Sequence, residues 1–384
     1  MTGGFAGPRY WDAHTHLAAG AADLLDCDLR DARSAGGLEA ALLRAARRTA
    51  PGGWIRGFGW DGATIVPDVA PAHPVFLARR DGHAAWVNRA GRAALGLAQD
   101  EAVVSEEAFD AIRKRLPPRT MAERQSALRT RLLELVEHEV GTVDDMVETW
   151  APEVYAHLRD ARELPVAIGL WLPDEIAGGE ADALRLEFPP DDPQLAVRGI
   201  KIFLDGTLGA RTAALSFPYA DDRTSSGTLR FAENDIVEKV ARWAERGWPV
   251  ALHAIGDRAV TAALSALERV PRPRFGAHRI EHAQVVKLLD LPRFAKAGIV
   301  VSVQPGHWAD DAPWLAGRLG ERRGVLAHPL SSLTRAGATV VFGSDWPVSS
   351  WDPAVILAAA TARERGDEAL DAADAAAWYT SAPR

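Results

Sequence analysis

The stretch YWDAHTHL, Tyr10 to Leu17, sets two histidines one residue apart behind a short apolar run. In an extended chain the side chains alternate between faces, so Asp12, His14 and His16 share one face. Two imidazoles at a strand end can grip a metal ion. Two polar residues opening a loop would look the same, and the motif alone does not separate these readings. Four further positions bear on the choice: Lys201 in GIKIFLDG, His253 after WPVAL, His282 closing HRIEH, and Asp345 after VVFGS. Each comes at or near the carboxyl end of an apolar run. Imidazole and carboxylate are good ligands for zinc and related divalent ions.

Lys201 is the awkward member of this set. Ile200, Ile202 and Leu204 alternate with Lys201, Phe203 and Asp205, and the second trio is read as pointing inward. A bare ammonium among metal ions is repelled and costly to bury. Either it pairs with Asp205 or Asp345 in a site without metal, or its amine takes up carbon dioxide to give a carbamate, an anion able to bridge two cations. The second alternative fits the surrounding ligands better. The others have bland readings too. His253 can be a satisfied core histidine, and Asp345 can cap a following helix. His278 shares a face with His282 but lies one layer deeper, where hydrogen bonding inside the fold suits it.

The elements that must position these residues are eight short apolar runs: YWDAH, GTVDDMV, LPVAIGLWL, VRGIKIFLDG, WPVALHAIGD, AHRIEHA, GIVVSVQPG and ATVVFGSDWPV. Helical patterns such as ENDIVEKVARWAERG separate most of them. Strands alternating with helices predict a parallel sheet, and eight units predict an α/β fold of the (β/α)8 TIM-type barrel class. A doubly wound open sheet is the alternative, but no GxGxxG loop follows the first strand. In a closed barrel the carboxyl strand ends converge on one face, which would gather His14, His16, Lys201, His253, His282 and Asp345 around one small volume. The whole chain, 1–384, reads as one barrel domain with a long insertion, 17–140, after the first strand. An insertion at that end of a barrel strand is expected to form a pocket wall or lid.

The 384 residues are 47% hydrophobic and 25% charged with a formal net charge of −8, ordinary for a soluble globular protein. The acidic balance argues against a nucleic-acid or anionic-membrane partner and says nothing more about partners. A small-molecule substrate is expected from the candidate site. Assembly into a homo-oligomer is left open. The lone cysteine, Cys27, rules out an internal disulfide and suits a reducing compartment. The leading MTGGFAGPRYW has no apolar core of signal-peptide length, so a cytoplasmic location is expected.

The segments DAHTHL, GWIRGFGWD, HPVFLARRDGHAAWVN, GIKIFLDGTLGARTAAL, ALHAIGDRAV, HRIEHAQ, VSVQPGHWADD and VVFGSDWPV together resemble the amidohydrolase superfamily, in its YtcJ-like, N-substituted formamide deformylase-like branch. The resemblance runs from about Trp11 to Ala382. It implies a (β/α)8 barrel holding one or two divalent metal ions, zinc by ligand type. It places His14 and His16 on one metal, His253 and His282 on the other, and carboxylated Lys201 between them. Asp345 would be both a ligand and the general base. The implied chemistry is hydrolysis of a carbon–nitrogen bond other than a peptide bond. Deamination, lactone or phosphoester hydrolysis on the same centre, and a non-catalytic binding barrel, stay open. His83, Arg211, Gln304 and His307 are read as substrate holders. Against this, Arg211 can simply pair with an acidic residue and His83 can order the insertion. Trp60, Trp86, Trp308 and Trp346 lie beside these motifs and suggest an aromatic pocket, with core packing as the competing account. Relatives usually carry a small β-sandwich built from segments on both sides of the barrel. Here only MTGGFAGPR precedes the first strand and the chain stops at YTSAPR, so the sandwich reads as absent, in either a compact member or an incomplete chain.

Overall fold

A computed structural model of the chain describes residues 10–62, 64–79, 84–100, 102–113, 115–363 and 368–380. All eight apolar runs form strands: β1 (Tyr10–Thr15), β2 (Val140–Met146), β3 (Ala167–Pro173), β4 (Leu195–Phe203), β5 (Val250–Ala254), β6 (Arg279–His282), β7 (Val300–Val303) and β8 (Thr339–Phe342). They pair in chain order and all in parallel. The outer two strands meet through the segment after β8, where the Asp345 amide donates to the His14 carbonyl at 2.7 Å and the His16 amide to the Trp346 carbonyl at 2.8 Å. The result is a nearly closed barrel of the TIM type.

Parallel strands covered by helices are buried on both faces, which is why they read as apolar runs rather than alternating ones. The helix Glu233–Ala244 shows the complementary pattern, burying Ile236, Val240, Trp243 and Ala244 at helical spacing. Its neighbour Asp257–Leu267 buries eight residues, seven of them apolar. The cap of the helix Pro353–Thr361 is Asp352, whose carboxylate accepts the Ala354 amide at 2.9 Å. Asp345 therefore does not have the capping role open to it in the sequence.

The chain divides into two compact units, one running to Gly20 and resuming at Arg129, the other Ala21–Leu128. The second unit has a sheet of its own, ordered Cys27–Asp28, Ile55–Trp60, Val75–Arg79, Ala84–Val87, Val103–Ser105, parallel at first and antiparallel after its third strand. The helix Ala35–Arg48, opened by Ser34 accepting the Gly37 amide, sends Leu38, Ala41 and Leu42 into a core with Ile55, Trp60, Val75 and Leu77. Trp60 is thus a core residue of this unit. Among the described residues no helix is long and apolar enough to cross a membrane.

Candidate metal centre

The segment after β1 is pinned from β2. Asp145 is fully buried and its carboxylate accepts the amides of Leu17 at 2.7 Å and Ala18 at 3.0 Å, and the Tyr155 hydroxyl at 2.7 Å. On the other side Asp12 accepts the Ser344 amide at 2.8 Å, tying the segment after β8 to β1. Between them Gly343 passes so close that a Cβ there would lie 2.6 Å from the His14 Cβ. Only glycine allows that approach. Two residues at these strand ends carry left-handed backbones, uncommon for residues other than glycine, His282 at φ 76° and Asp345 at φ 56°. Such conformations persist where the surroundings over-determine them, and they cluster at functional sites.

His14, His282 and Asp345 are all buried, and their potential ligand atoms lie within 4.8 Å of one another. His16 Nε2 and His14 Nε2 each lie 3.3 Å from Asp345 Oδ1. The Lys201 ammonium is 3.4 Å from His14 Nε2, and the His253 ring sits 4.5 Å from that of His282. The six residues read from the sequence as a ligand set are therefore brought together. Each of the four imidazoles engages a protein acceptor through one ring nitrogen. His14 Nδ1 meets Glu281 at 2.5 Å, His16 Nδ1 the Met146 carbonyl at 3.2 Å, His253 Nε2 the Gly206 carbonyl at 3.2 Å, and His282 Nδ1 the Gln304 side-chain carbonyl at 2.7 Å. Those acceptors fix the ring orientation and the tautomer.

With Nδ1 protonated, His14 and His16 both turn an Nε2 lone pair toward Asp345 Oδ1, which is buried without a hydrogen-bond partner. The Lys201 ammonium partly answers this concentration of lone pairs, and a metal cation would answer it fully. In a tetrahedral site with ligands at about 2.1 Å, neighbouring ligand atoms lie about 3.4 Å apart. The 3.3 Å separations here fit that spacing. His253 Nδ1 is a further buried atom with no partner. Burial, and after it Lys201, pushes the His253 imidazole down to about 3. His282 is held well below its ordinary range by burial and then by His253. Both rings are thereby kept neutral, as ligands must be.

The remaining sequence candidates fall differently. Gln304 orients His282. His307 accepts from the Gln284 amide through Nδ1 and faces Asp345 Oδ2 through Nε2 at 3.4 Å. Arg211 is taken up by Asp221, which also accepts Arg318. His83 lies outside the described residues. His278 hydrogen-bonds the Val250 amide and the Pro271 carbonyl, deeper in the barrel. Trp346 stacks on Trp351 at 4.4 Å beneath Arg131. A cavity of about 330 Å³ opens beside the centre, bordered by His16 and Lys201 and by Met146, Val147, Pro173 and Phe203. A larger apolar groove of about 590 Å³ runs along the helix Pro305–Leu319, lined by Trp308, Leu315 and Leu319, and includes none of the ligand-type residues of the centre.

Four charged residues around the centre escaped the sequence reading: Asp144, Asp145, Arg279 and Glu281. Burial pushes the Glu281 carboxyl up, but Arg279 above all, and then His14, outweighs it and holds the group well below the usual carboxylate range. The signal was present in VDDM and HRIEH, where charges interrupt strands that are otherwise apolar.

The amidohydrolase family model matches residues 2–384. The chain belongs to the amidohydrolase family. This amidohydrolase is 27% identical over 402 residues to the putative amidohydrolase YtcJ of Bacillus subtilis (strain 168), covering 96% of this chain and 75% of that one. It is 26% identical over 435 residues to the N-substituted formamide deformylase of Arthrobacter pascens, covering 98% and 78%. A crystal structure of an uncharacterized metal-dependent hydrolase from Pyrococcus furiosus superposes with a TM-score of 0.83 at 30% identity, covering 97% of this chain and 80% of that one. The chain spans between 66% and 78% of the lengths of the curated relatives it matches. The family is one of metal-dependent hydrolases, and the clustered His14, His282 and Asp345 are residues of the type such chemistry needs.

Proposed function

We propose that this amidohydrolase cleaves the carbon–nitrogen bond of an N-acyl or N-formyl amine, with His14, His16, His253, His282 and Asp345 holding one or two divalent ions, zinc by ligand type. The observation that carries this reading is the orientation of the imidazoles, each fixed by a protein acceptor, around an Asp345 oxygen that lacks one. The choice of an amide bond follows the similarity to an N-substituted formamide deformylase.

The bound ion supplies Lewis acidity, lowering the pKa of water and polarising the scissile carbonyl. Asp345 takes the proton of the attacking water and returns it to the departing amine nitrogen, acting as general base and then general acid. The His307 imidazole, with Nε2 carrying the proton because Nδ1 accepts from Gln284, faces Asp345 and steadies its carboxylate. The cavity beside His16 and Lys201 receives the substrate, with Phe203, Met146 and Val147 against its apolar part.

Lys201 is proposed to act as a carbamate. Burial, against the pull of Glu281 and Asp345, pushes its ammonium down to about 8, so part of it is the free amine near neutral pH. That amine adds to carbon dioxide, forming an N–C bond and releasing one proton, and the product is an anion suited to bridge two cations. The cytoplasm is the compartment the single cysteine suits. The test is a hydrolysis screen of N-formyl and N-acyl amines on zinc-loaded protein, beside lactones, phosphoesters and aminopurines. Release of amine from the first group is the expected result. Turnover confined to the others would replace the amide reading.

A further inference from the structure

Glu281 lies one residue before a ligand-type histidine, yet its side chain serves a different one. Its Oε2 is 2.5 Å from His14 Nδ1, and both side chains are fully buried. The same oxygen accepts Arg279 Nη2 at 3.3 Å, while Oε1 faces Arg279 Nε at 2.8 Å in an ion-pair contact. Arg279 is anchored in turn: it donates to Asp144 at 2.7 Å and to the Ala13 carbonyl at 2.5 Å, and lies over the Trp171 ring. A rigid chain of charge thus runs through the barrel interior from Asp144 to His14.

We propose that Glu281 is a positioning residue that fixes His14 in its Nδ1–H tautomer, leaving the Nε2 lone pair for the metal, and that Arg279 holds the carboxylate in register. The proposal rests on the metal-centre reading for its functional meaning, but the tautomer claim stands on the hydrogen bonds alone. An ionised carboxylate only accepts, so it requires a proton on His14 Nδ1 and excludes the Nε2–H tautomer. Glutamine has the same shape and cannot do this. If its amide nitrogen takes the Oε1 place, it opposes the Arg279 Nε–H at contact distance. If it takes the Oε2 place, it donates to His14 Nδ1, and the ring proton moves to Nε2, where metal must bind. Both arrangements set an N–H against Arg279, at 2.8 Å from Nε in the first and at 3.3 Å from Nη2 in the second, and the closer opposition favours the second. Only a group with two acceptor edges satisfies both neighbours.

The test uses full-length protein labelled with ring-15N histidine, the parent beside Glu281→Gln and Glu281→Asp. The metal-free spectrum reports the protonated nitrogen of His14, assigned through its loss in His14→Asn. Zinc affinity is measured separately by competition with a chelator. The parent is expected to show Nδ1–H. Glu281→Gln is expected to show Nε2–H and to bind zinc about 10–100-fold more weakly, the usual effect of removing an outer partner of a ligand histidine. Glu281→Asp keeps a carboxylate on a shorter arm, and is expected to retain Nδ1–H with an affinity between the two. A merely structural role would lower the melting temperature and leave the tautomer alone. The proposal is overturned if Glu281→Gln keeps Nδ1–H and binds zinc within twofold of the parent. Should that variant not fold, an affinity of Glu281→Asp equal to the parent overturns it. A parent that binds no zinc refutes the metal centre instead, and the tautomer comparison still decides the role of Glu281.

Discussion

The core of the second unit and the interior of the barrel are equally buried and oppositely built. In the second unit Leu29, Leu38, Leu42, Ile55, Val75 and Leu77 exclude water with side chains that carry no polar atom. Such burial stabilises by about 25 cal/mol per Å² of apolar surface. In the barrel, Asp12, Asp144, Asp145, Lys201, Arg279, Glu281 and Asp345 are buried together with His14, His253 and His282. Charges removed from water are costly unless each is paired and hydrogen-bonded, and here some atoms stay unpaired, Asp345 Oδ1 and Asp12 Oδ2 among them. One region makes stability. The other holds an exact set of donor atoms at a cost in stability, which is the mark of a site rather than a scaffold.

Substitutions can break or sharpen this contrast. The largest effect is expected from Asp345→Asn, which removes the proposed proton acceptor. Turnover of whichever amide the parent hydrolyses should fall on the order of 10³-fold, read by steady-state kinetics. Residual activity within tenfold of the parent would take the general base away from Asp345. Next comes Leu42→Ala in the second unit. It should destabilise by about 2–5 kcal/mol in chemical denaturation while metal content stays unchanged. Loss of metal in that variant would erase the division between the two regions.

A smaller loss, about 1–3 kcal/mol, is expected for Gly343→Ala, whose methyl group meets His14. Because it pushes the Asp345 segment from β1, metal occupancy should drop with it, as elemental analysis would show. Unchanged occupancy would mean that the close approach serves packing alone.

The smallest effect is a slope in pH. His253 is depressed to about 3 in the fold, against an ordinary value of 6.5. Between those values the unfolded chain binds the proton and the folded chain does not, so stability contributed by this group is present above 6.5 and is lost as pH falls toward 3. The slope is at most one proton, about 1.4 kcal/mol per pH unit. Asp12 and Asp205, each raised to about 7 by burial, work in the opposite sense between 3.8 and 7. The measurement is therefore the difference between metal-free parent and metal-free His253→Asn across pH 4 to 7. A constant difference would mean that His253 is not held neutral by the fold.

The barrel was legible because its strands are buried on both faces and read as unbroken apolar runs; all eight were found that way. The ligand-type residues were legible because they stand where those runs end. What escaped lies inside the runs. Arg279 and Glu281 sit in HRIEH as ordinary charges until β1 and β2 are laid beside β6, and no local pattern gives that neighbourhood. The sheet of the second unit escaped for a different reason: Cys27–Asp28 and Val103–Ser105 are too short to show a period. Gln304 and His307 were noticed by type and read as substrate holders; that Gln304 orients His282 and His307 faces Asp345 is a pairing that only the tertiary arrangement supplies.

The central claim is that the imidazoles at the carboxyl strand ends hold a catalytic metal. The most direct measurement is the metal content, by elemental analysis, of purified parent and of the His14→Ala/His16→Ala double variant after loading with zinc and gel filtration. The account predicts one to two equivalents in the parent and none in the double variant, with both proteins folded by circular dichroism. Full occupancy in the folded double variant would contradict it.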